Sequence, residues 1–135
     1  MKKINKKNLV VLTMGDPSGI GTEISIKSWK SKKTKAPFFL IHDPMHVQKV
    51  IKKMGLKVDI KIIHRPIDAL KCFKNYLPIF PIEIDKKTQL GSPNKKNSKK
   101  ILESIDKAVQ FVKNKEASSM VTNPVSKEVI NKINK

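Results

Sequence analysis

The residues best suited to chemistry form a glycine-rich loop, Gly15-Asp16-Pro17-Ser18-Gly19-Ile20-Gly21, between an apolar run and a helical pattern. A loop of this kind brings backbone N–H groups close to an anion at a helix amino terminus. The Walker A pattern would need Gly and Lys at positions 20 and 21, where the chain has Ile20 and Gly21. The dinucleotide fingerprint would need a third glycine at position 24, which is Ile24. We therefore predict an anion or cofactor loop of another kind.

Within this loop, the role of Asp16 has two interpretations. A carboxylate beside a helix amino terminus is stabilised by the helix dipole, so Asp16 either completes the turn or contacts a cofactor or substrate. Gly19 and Gly21 either face a ligand or serve only turn geometry and close packing of strand on helix. The residue types alone leave these alternatives open.

A second candidate site lies near the other end, in Met120-Val121-Thr122-Asn123-Pro124-Val125-Ser126-Lys127. This segment is typical of a strand that leads into a helix, with Asn123 as the cap and Pro124 at the first helical position. Thr122 would lie at the carboxyl end of the strand, where α/β sheets bind ligands. Thr122 and Lys127 are therefore predicted to bind a phosphorylated substrate or cofactor, the alternative being that Lys127 is one more surface lysine.

Histidine and cysteine offer little further chemistry. His42 and His46 are four residues apart, but a predicted strand end and helix start separate them, so we predict no zinc site and no metal ligand or catalytic residue in this stretch. Cys72 is the single cysteine, which excludes an internal disulfide and fits a reducing compartment. We expect a cytoplasmic protein.

The elements that must position these loops alternate between strand and helix. Asp43 and Pro44 predict the start of a helix that continues to Met54 and stops at Gly55. This order predicts an α/β fold of layered α/β/α type with a largely parallel sheet, and the polar segment Asp85–Asn97 is predicted to be a surface loop. The other predicted strands are Leu9–Met14, Phe38–Ile41, Val58–Ile63, Leu77–Ile84 and Ser119–Thr122, and the other helices are Ile20–Trp29, Ile67–Tyr76 and Ser98–Lys115.

A formal net charge of +18 raises nucleic-acid binding as an alternative function. The charge comes almost entirely from dispersed lysines, with Arg65 the only arginine, and aromatic residues for base stacking are scarce. We therefore expect no nucleic-acid partner. No apolar run approaches the roughly 20 residues needed to cross a bilayer, so we expect no membrane span either.

Taken together, the two loops resemble the 4-hydroxythreonine-4-phosphate dehydrogenase family. That family has a strand ending in Gly-Asp/Glu-Pro-Ala/Ser-Gly-Ile-Gly, and much later Val-Thr-x-Pro-x-x-Lys, as in 14–21 and 121–127 here. Gly91 and the long helix after it stand where the family has a loop and helix. Asn123 departs from the pattern, because a small residue is common at that place. The resemblance covers the whole chain.

The resemblance implies a homodimer with the isocitrate and isopropylmalate dehydrogenase type of fold, in which two α/β domains flank a cleft. It implies NAD and a divalent metal ion as cofactors and a small phosphorylated amino acid as substrate. Family members oxidise the C3 hydroxyl of 4-phosphooxy-threonine in pyridoxal phosphate biosynthesis, and the β-keto acid then loses carbon dioxide. By this likeness the cofactor side of the cleft is shaped by Gly15, Asp16, Pro17, Ser18, Gly19 and Gly21.

The resemblance also implies that residues 1–135 are part of the amino-terminal α/β domain, without the second domain. The family's substrate-binding Gly-His-Thr-Glu stretch and its metal-binding histidines would follow Lys135. We therefore expect a partial sequence that is inactive and poorly stable alone, because a sheet without its later strands has an unpaired edge. The closest rival is a related dehydrogenase of phosphorylated threonate-like acids.

Overall fold

The computed structural model describes residues 8–31, 36–92 and 94–125. Its elements alternate along the chain as the sequence predicts, and the strands are β1 Val10–Leu12, β2 Phe38–His42, β3 Ile60–Ile62, β4 Leu77–Pro81 and β5 Ser119–Val121. The helices are α1 Gly21–Ser31, α2 Pro44–Met54, α3 Asp68–Cys72 and α4 Ser98–Lys113. A short 3-10 turn at Lys95–Asn97 precedes α4.

The five strands form one sheet in the order β3-β4-β2-β1-β5, and every pair of neighbours is parallel. This confirms the predicted α/β fold with a parallel sheet. Parallel pairing places the carboxyl ends of all strands at one edge, so the connections that leave β1, β2, β4 and β5 meet there. The two loops with candidate site residues belong to this edge.

Helices cover both faces of the sheet, because successive side chains of each strand point to opposite faces. In β2, Phe39 and Ile41 pack in the cluster that contains α3 and α4 residues, whereas Phe38 and Leu40 pack with α1 and α2. All five residues of β2 are buried, as expected for a central strand of a parallel sheet. The sheet is thus packed on both faces and supports the loops at its edge.

Local signals explain why α2 matches its predicted bounds. The Asp43 side chain accepts a hydrogen bond from the Met45 N–H at 3.0 Å, and Pro44 occupies the first turn. Gly55 ends the helix in the left-handed conformation at φ 70° and donates its N–H to the last turn. The same Asp43 carboxylate also accepts from the Ile84 N–H at 3.0 Å, so it joins α2 to the segment after β4.

Several predicted bounds were too wide. The runs Leu9–Met14 and Val58–Ile63 contain strands of only three residues each, because the ladder ends where the backbone turns into the connecting loops. The predicted helix Ile67–Tyr76 is reduced to α3, since the N–H groups of Asn75 and Tyr76 both bond to Cys72 O and close the chain into turns. Among the described residues, no helix is long and apolar enough to span a bilayer.

Candidate functional site

The glycine loop and the segment after β5 lie side by side at the carboxyl edge of the sheet. Because β1 and β5 are parallel neighbours, the Thr13 N–H reaches Val121 O at 3.0 Å just beyond the strands. The Asp16 N–H then donates to Pro124 O at 2.9 Å. The structure therefore brings together the two segments that the sequence singled out.

Two glycines are required where these segments touch. A Cβ atom on Gly15 would lie 2.7 Å from Asn123 Cβ and 2.7 Å from Pro124 O, and Gly15 has a φ of +66°. A Cβ on Gly21 would lie 3.0 Å from Asn123 Cβ. For Gly21, close packing of strand on helix is therefore sufficient to explain the glycine. Gly19 is different, because a Cβ there would meet only Asp16 O at 3.4 Å and Asp16 Cβ at 3.8 Å.

Asn123 fills the space that these glycines leave. Its side-chain amide nitrogen donates to Thr13 O at 2.8 Å and to Ser25 Oγ at 3.0 Å, and Asn123 is 7 % exposed. Ser25 Oγ in turn donates to Gly21 O at 2.9 Å. The Asn123 side chain thus joins β1, α1 and the segment after β5. The helix that Asn123 was predicted to cap lies outside the described residues.

Asp16 completes a turn inside the glycine loop. Its Oδ1 accepts the Ser18 N–H at 2.9 Å, and its backbone oxygen accepts the Gly19 N–H at 2.9 Å. Asp16 is buried, and this geometry is the Asx-turn that aspartate forms two residues before its donor. The turn interpretation of Asp16 is confirmed, and its contact with a cofactor stays a prediction.

Ser18 is the residue of the loop whose side chain the fold leaves unsatisfied. Its Oγ is buried and has no hydrogen-bond partner within the described residues, although buried hydroxyl groups normally have one. Its backbone oxygen accepts the Gly91 N–H at 2.7 Å, so the connection after β4 is attached to the glycine loop. A buried hydroxyl that lacks a partner beside a glycine turn and a helix start fits a loop that binds a polar ligand.

The predicted substrate pair is only partly placed. Thr122 is exposed and directly follows β5, at the carboxyl edge of the sheet as predicted. Lys127 lies outside the described residues. Their joint binding of a phosphate group therefore stays a prediction.

The sequence considered His42 and His46 only as metal ligands, and their contacts with this site were missed. His42 ends β2 and His46 lies in α2, and their rings stack with centroids 5.4 Å apart and an interplanar angle of 16°. His42 Nε2 lies 2.8 Å from Thr22 Oγ1, and His46 Nε2 lies 2.9 Å from Pro17 O. The available signal was the position of His42 at the end of a predicted strand, the edge where α/β sheets bind ligands.

Both rings are held in the neutral form. Burial, and to a smaller extent the nearby His46, lowers the pKa of His42 to about 3. Burial also lowers the pKa of His46, with a smaller opposing effect from its hydrogen bond to Pro17. Neither group is therefore a cation at neutral pH.

The connection after β4 lies next to the glycine loop and to α2. Asp85 Oδ2 accepts from Asn94 Nδ2 at 2.7 Å, and the Asp85 N–H donates to Asn97 Oδ1 at 2.8 Å. Asn97 is fully buried, so Asp85–Asn97 is more than the surface loop that the sequence predicted. A crevice of about 310 Å³ separates this connection from α2 and is lined by His46, Lys49, Val50, Lys53, Thr88, Gln89 and Leu90.

The donor sets indicate which cofactors the described residues fit. Backbone N–H groups at the start of α1 and the free hydroxyl of Ser18 suit part of an anionic dinucleotide. No group of three or more His, Cys, Asp or Glu side chains able to hold a metal ion occurs in 8–31, 36–92 or 94–125. These donors fit an anionic group, and the described part of the chain does not by itself fit a metal ion.

Solved structures share this fold. The 4-hydroxythreonine-4-phosphate dehydrogenase of Klebsiella pneumoniae superposes with a TM-score of 0.81 at 20 % identity, over 92 % of this chain and 39 % of that chain. A terephthalate 1,2-cis-dihydrodiol dehydrogenase from Burkholderia xenovorans matches with a TM-score of 0.67 at 18 % identity, over 91 % of this chain and 36 % of that chain. At these identities the likeness shows the fold.

Relatives found by sequence have a higher identity to this chain than these solved structures. The 4-hydroxythreonine-4-phosphate dehydrogenase of Methylorubrum populi is 37 % identical over 128 residues, which are 92 % of this chain and 36 % of that protein. The enzyme of the same name from Zymomonas mobilis is 35 % identical over 120 residues, covering 87 % of this chain and 34 % of that protein. The chain thus spans about a third of the length of these relatives. A sequence model of the family described as pyridoxal phosphate biosynthetic protein PdxA matches residues 33–134, and the chain belongs to this family.

Proposed function

We propose that the complete protein is an NAD-dependent dehydrogenase that oxidises 4-phosphooxy-threonine in pyridoxal phosphate biosynthesis. The observation that carries the proposal is the family match over residues 33–134. It is supported by relatives named 4-hydroxythreonine-4-phosphate dehydrogenase that are 35–37 % identical to this chain. The chain covers 36 % of the Methylorubrum populi relative, so the activity is assigned to the complete protein and not to this stretch alone.

In this proposal the glycine loop forms the cofactor side of the cleft. Held by this loop, NAD would supply the hydride acceptor for oxidation of the substrate hydroxyl group, whose proton is released, before the β-keto acid loses carbon dioxide. Gly19 leaves room for close approach, and Ser18 Oγ supplies a hydrogen-bond donor that is otherwise unused among the described residues. Asp16 holds the turn by accepting the Ser18 N–H, and this bond does not use the Ser18 hydroxyl.

The substrate side is assigned to the segment after β5. Thr122 would donate its hydroxyl to a phosphate oxygen, and Lys127 would pair with the phosphate charge. The exposure of Thr122 at the carboxyl edge supports this role. The divalent metal ion would be bound by residues outside this chain and, with them, polarise the reacting hydroxyl.

The remaining assignments follow the family. We propose a cytoplasmic homodimer in which residues 1–135 supply part of the first α/β domain and the remainder supplies the second. We propose no dedicated nucleic-acid or membrane partner, since the dispersed lysines lack arginine forks and base-stacking aromatics.

Kinetics of matched variants in the complete gene product test the substrate assignment. Thr122→Val keeps the shape and removes the hydroxyl, and Lys127→Met keeps the length and removes the charge. Each is expected to raise KM for 4-phosphooxy-threonine about tenfold with little change in KM for NAD, because charge-assisted hydrogen bonds to the phosphate are lost. Lys113→Met, at the exposed end of α4, is the control. If Lys127→Met and Lys113→Met changed KM for 4-phosphooxy-threonine equally, Lys127 would not be a phosphate-binding residue.

A further inference from the structure

His42 forms a fixed link between β2 and the first turn of α1. The Asp43 N–H donates to His42 Nδ1 at 2.7 Å, which makes Nδ1 the unprotonated nitrogen of the ring. The proton therefore sits on Nε2, which donates to Thr22 Oγ1 at 2.8 Å. Both ring nitrogens of this fully buried histidine are used, so the ring can turn only by breaking one of the two bonds.

His46 forms the matching link from α2 to the glycine loop. Its Nε2 donates to Pro17 O at 2.9 Å, because a carbonyl oxygen can only accept. Pro17 has no N–H of its own to anchor the chain at this point. The stacked rings of His42 and His46 therefore hold two successive segments, the loop at Pro17 and the first turn of α1 at Thr22.

The surroundings of the pair do not favour a charged ring. The groups around His46 come from α2 and its cap and from the connection after β4, and they balance as three acidic and three basic side chains: Asp43, Glu83 and Asp85 against Lys49, Lys53 and Lys86. Asp43 and Asp85 are already used as hydrogen-bond acceptors. A proton added to either ring would place a cation against the stacked partner, with no unused carboxylate bonded to it among the described residues.

We propose that His42 and His46 are positioning residues that hold the glycine loop and the first turn of α1 in the shape that binds the dinucleotide, and that they do so as a pair of neutral rings. The inference rests on the proposed function, which assigns NAD to this loop. Neither histidine touches the reacting atoms in this account. Their part is to keep the Pro17 carbonyl and the Thr22 hydroxyl bonded to the protein, so that the backbone between them has one conformation.

Two substitutions at position 46 separate the hydrogen bond from the ring. His46→Phe keeps an aromatic ring against His42 but removes the donor to Pro17, whereas His46→Gln keeps a neutral N–H donor and removes the ring. In the complete gene product, His46→Phe is expected to weaken NAD binding by roughly three- to tenfold, the effect of losing one buried hydrogen bond. KM for NAD should rise accordingly, with KM for 4-phosphooxy-threonine nearly unchanged. His46→Gln should restore binding to within about twofold. The control is His64→Phe at an exposed histidine.

Nitrogen-15 spectra of the imidazole side chains give a readout that does not depend on activity. We expect both rings in the neutral form with the proton on Nε2, and His42 still neutral down to about pH 5. A cationic His42 at neutral pH, or a proton on its Nδ1, would overturn the proposal. So would NAD binding in His46→Phe as tight as in the wild type. A wild-type protein that binds no NAD while both rings keep these signals would instead reject the proposed cofactor, which distinguishes the two failures.

Discussion

The side-chain nitrogen of Asn123 lies 2.8 Å from the backbone oxygen of Thr13, a residue 110 positions earlier in the chain. This bond joins the ends of two neighbouring parallel strands at the edge where the proposed ligands bind. It also explains the glycines, since Gly15 and Gly21 both lie against the Asn123 side chain. The motif that looks like a ligand loop thus serves packing first, and Gly19 is the glycine that this packing does not require.

Replacing Gly15 tests the packing of these two segments. Gly15→Ala combines a left-handed φ of +66° with overlap at 2.7 Å against the Pro124 carbonyl, so it is expected to lower the free energy of unfolding by roughly 2–4 kcal/mol. Gly19→Ala is the matched control, because its new Cβ has room, and it should cost less than about 1 kcal/mol. Chemical denaturation of the complete protein measures both, and equal losses would contradict the packing described here.

Removal of the Asn123 amide tests the bridge itself. Asn123→Ala leaves the buried Thr13 oxygen without this donor, and we expect a loss of about 1–3 kcal/mol in stability. Asn123→Asp keeps the shape but sets a carboxylate against a carbonyl oxygen, so it should be worse than alanine. Asn114→Ala, at the exposed end of α4, controls for loss of an asparagine. An aspartate variant as stable as the wild type would show that the amide donor has no role.

Lys115 offers a stabilising change away from the site. It follows α4 with a φ of 59°, a conformation that glycine adopts more readily than lysine, and its N–H bonds to Val112 O at 3.1 Å. Lys115→Gly is expected to raise the free energy of unfolding by about 0.5–1 kcal/mol. Lys113→Gly, inside the last turn of α4, should lower it by about 1 kcal/mol. If both glycines destabilise equally, the left-handed conformation of Lys115 is wrong.

The buried histidine predicts a pH dependence of stability. The pKa of His42 is about 3 in the folded chain and about 6.5 when unfolded, so the unfolded state binds more protons between these values. Stability must therefore fall as the pH drops below about 6.5, by about 2 kcal/mol between pH 7 and pH 5 from this group. His42→Asn removes the titrating group and should reduce the acid loss by that amount. Denaturant titrations at pH 7 and pH 5 measure the free energy of unfolding of both proteins. If the wild type and His42→Asn lost the same stability between these pH values, a neutral buried His42 would be excluded.

What the sequence could predict was local. Asp43, Pro44 and Gly55 define both ends of α2, since caps and breakers act within a few residues. The parallel sheet followed from the alternation of elements, and the glycine loop from its place after the first strand. The hydrogen bonds that assemble the site were not predictable, because they join residues far apart in the chain, whereas hydrophobic periodicity carries information only about residues close in sequence. These bonds are Gly91 to Ser18, His46 to Pro17 and Asn123 to Thr13.

The most direct measurement is NADH formation by the purified complete gene product, supplied with NAD, a divalent metal ion and either 4-phosphooxy-threonine or a phosphorylated threonate. We predict turnover with 4-phosphooxy-threonine, release of carbon dioxide and a much lower kcat/KM for the threonate. A folded protein that binds NAD yet oxidises the threonate in preference, or oxidises neither compound, would contradict the proposed function.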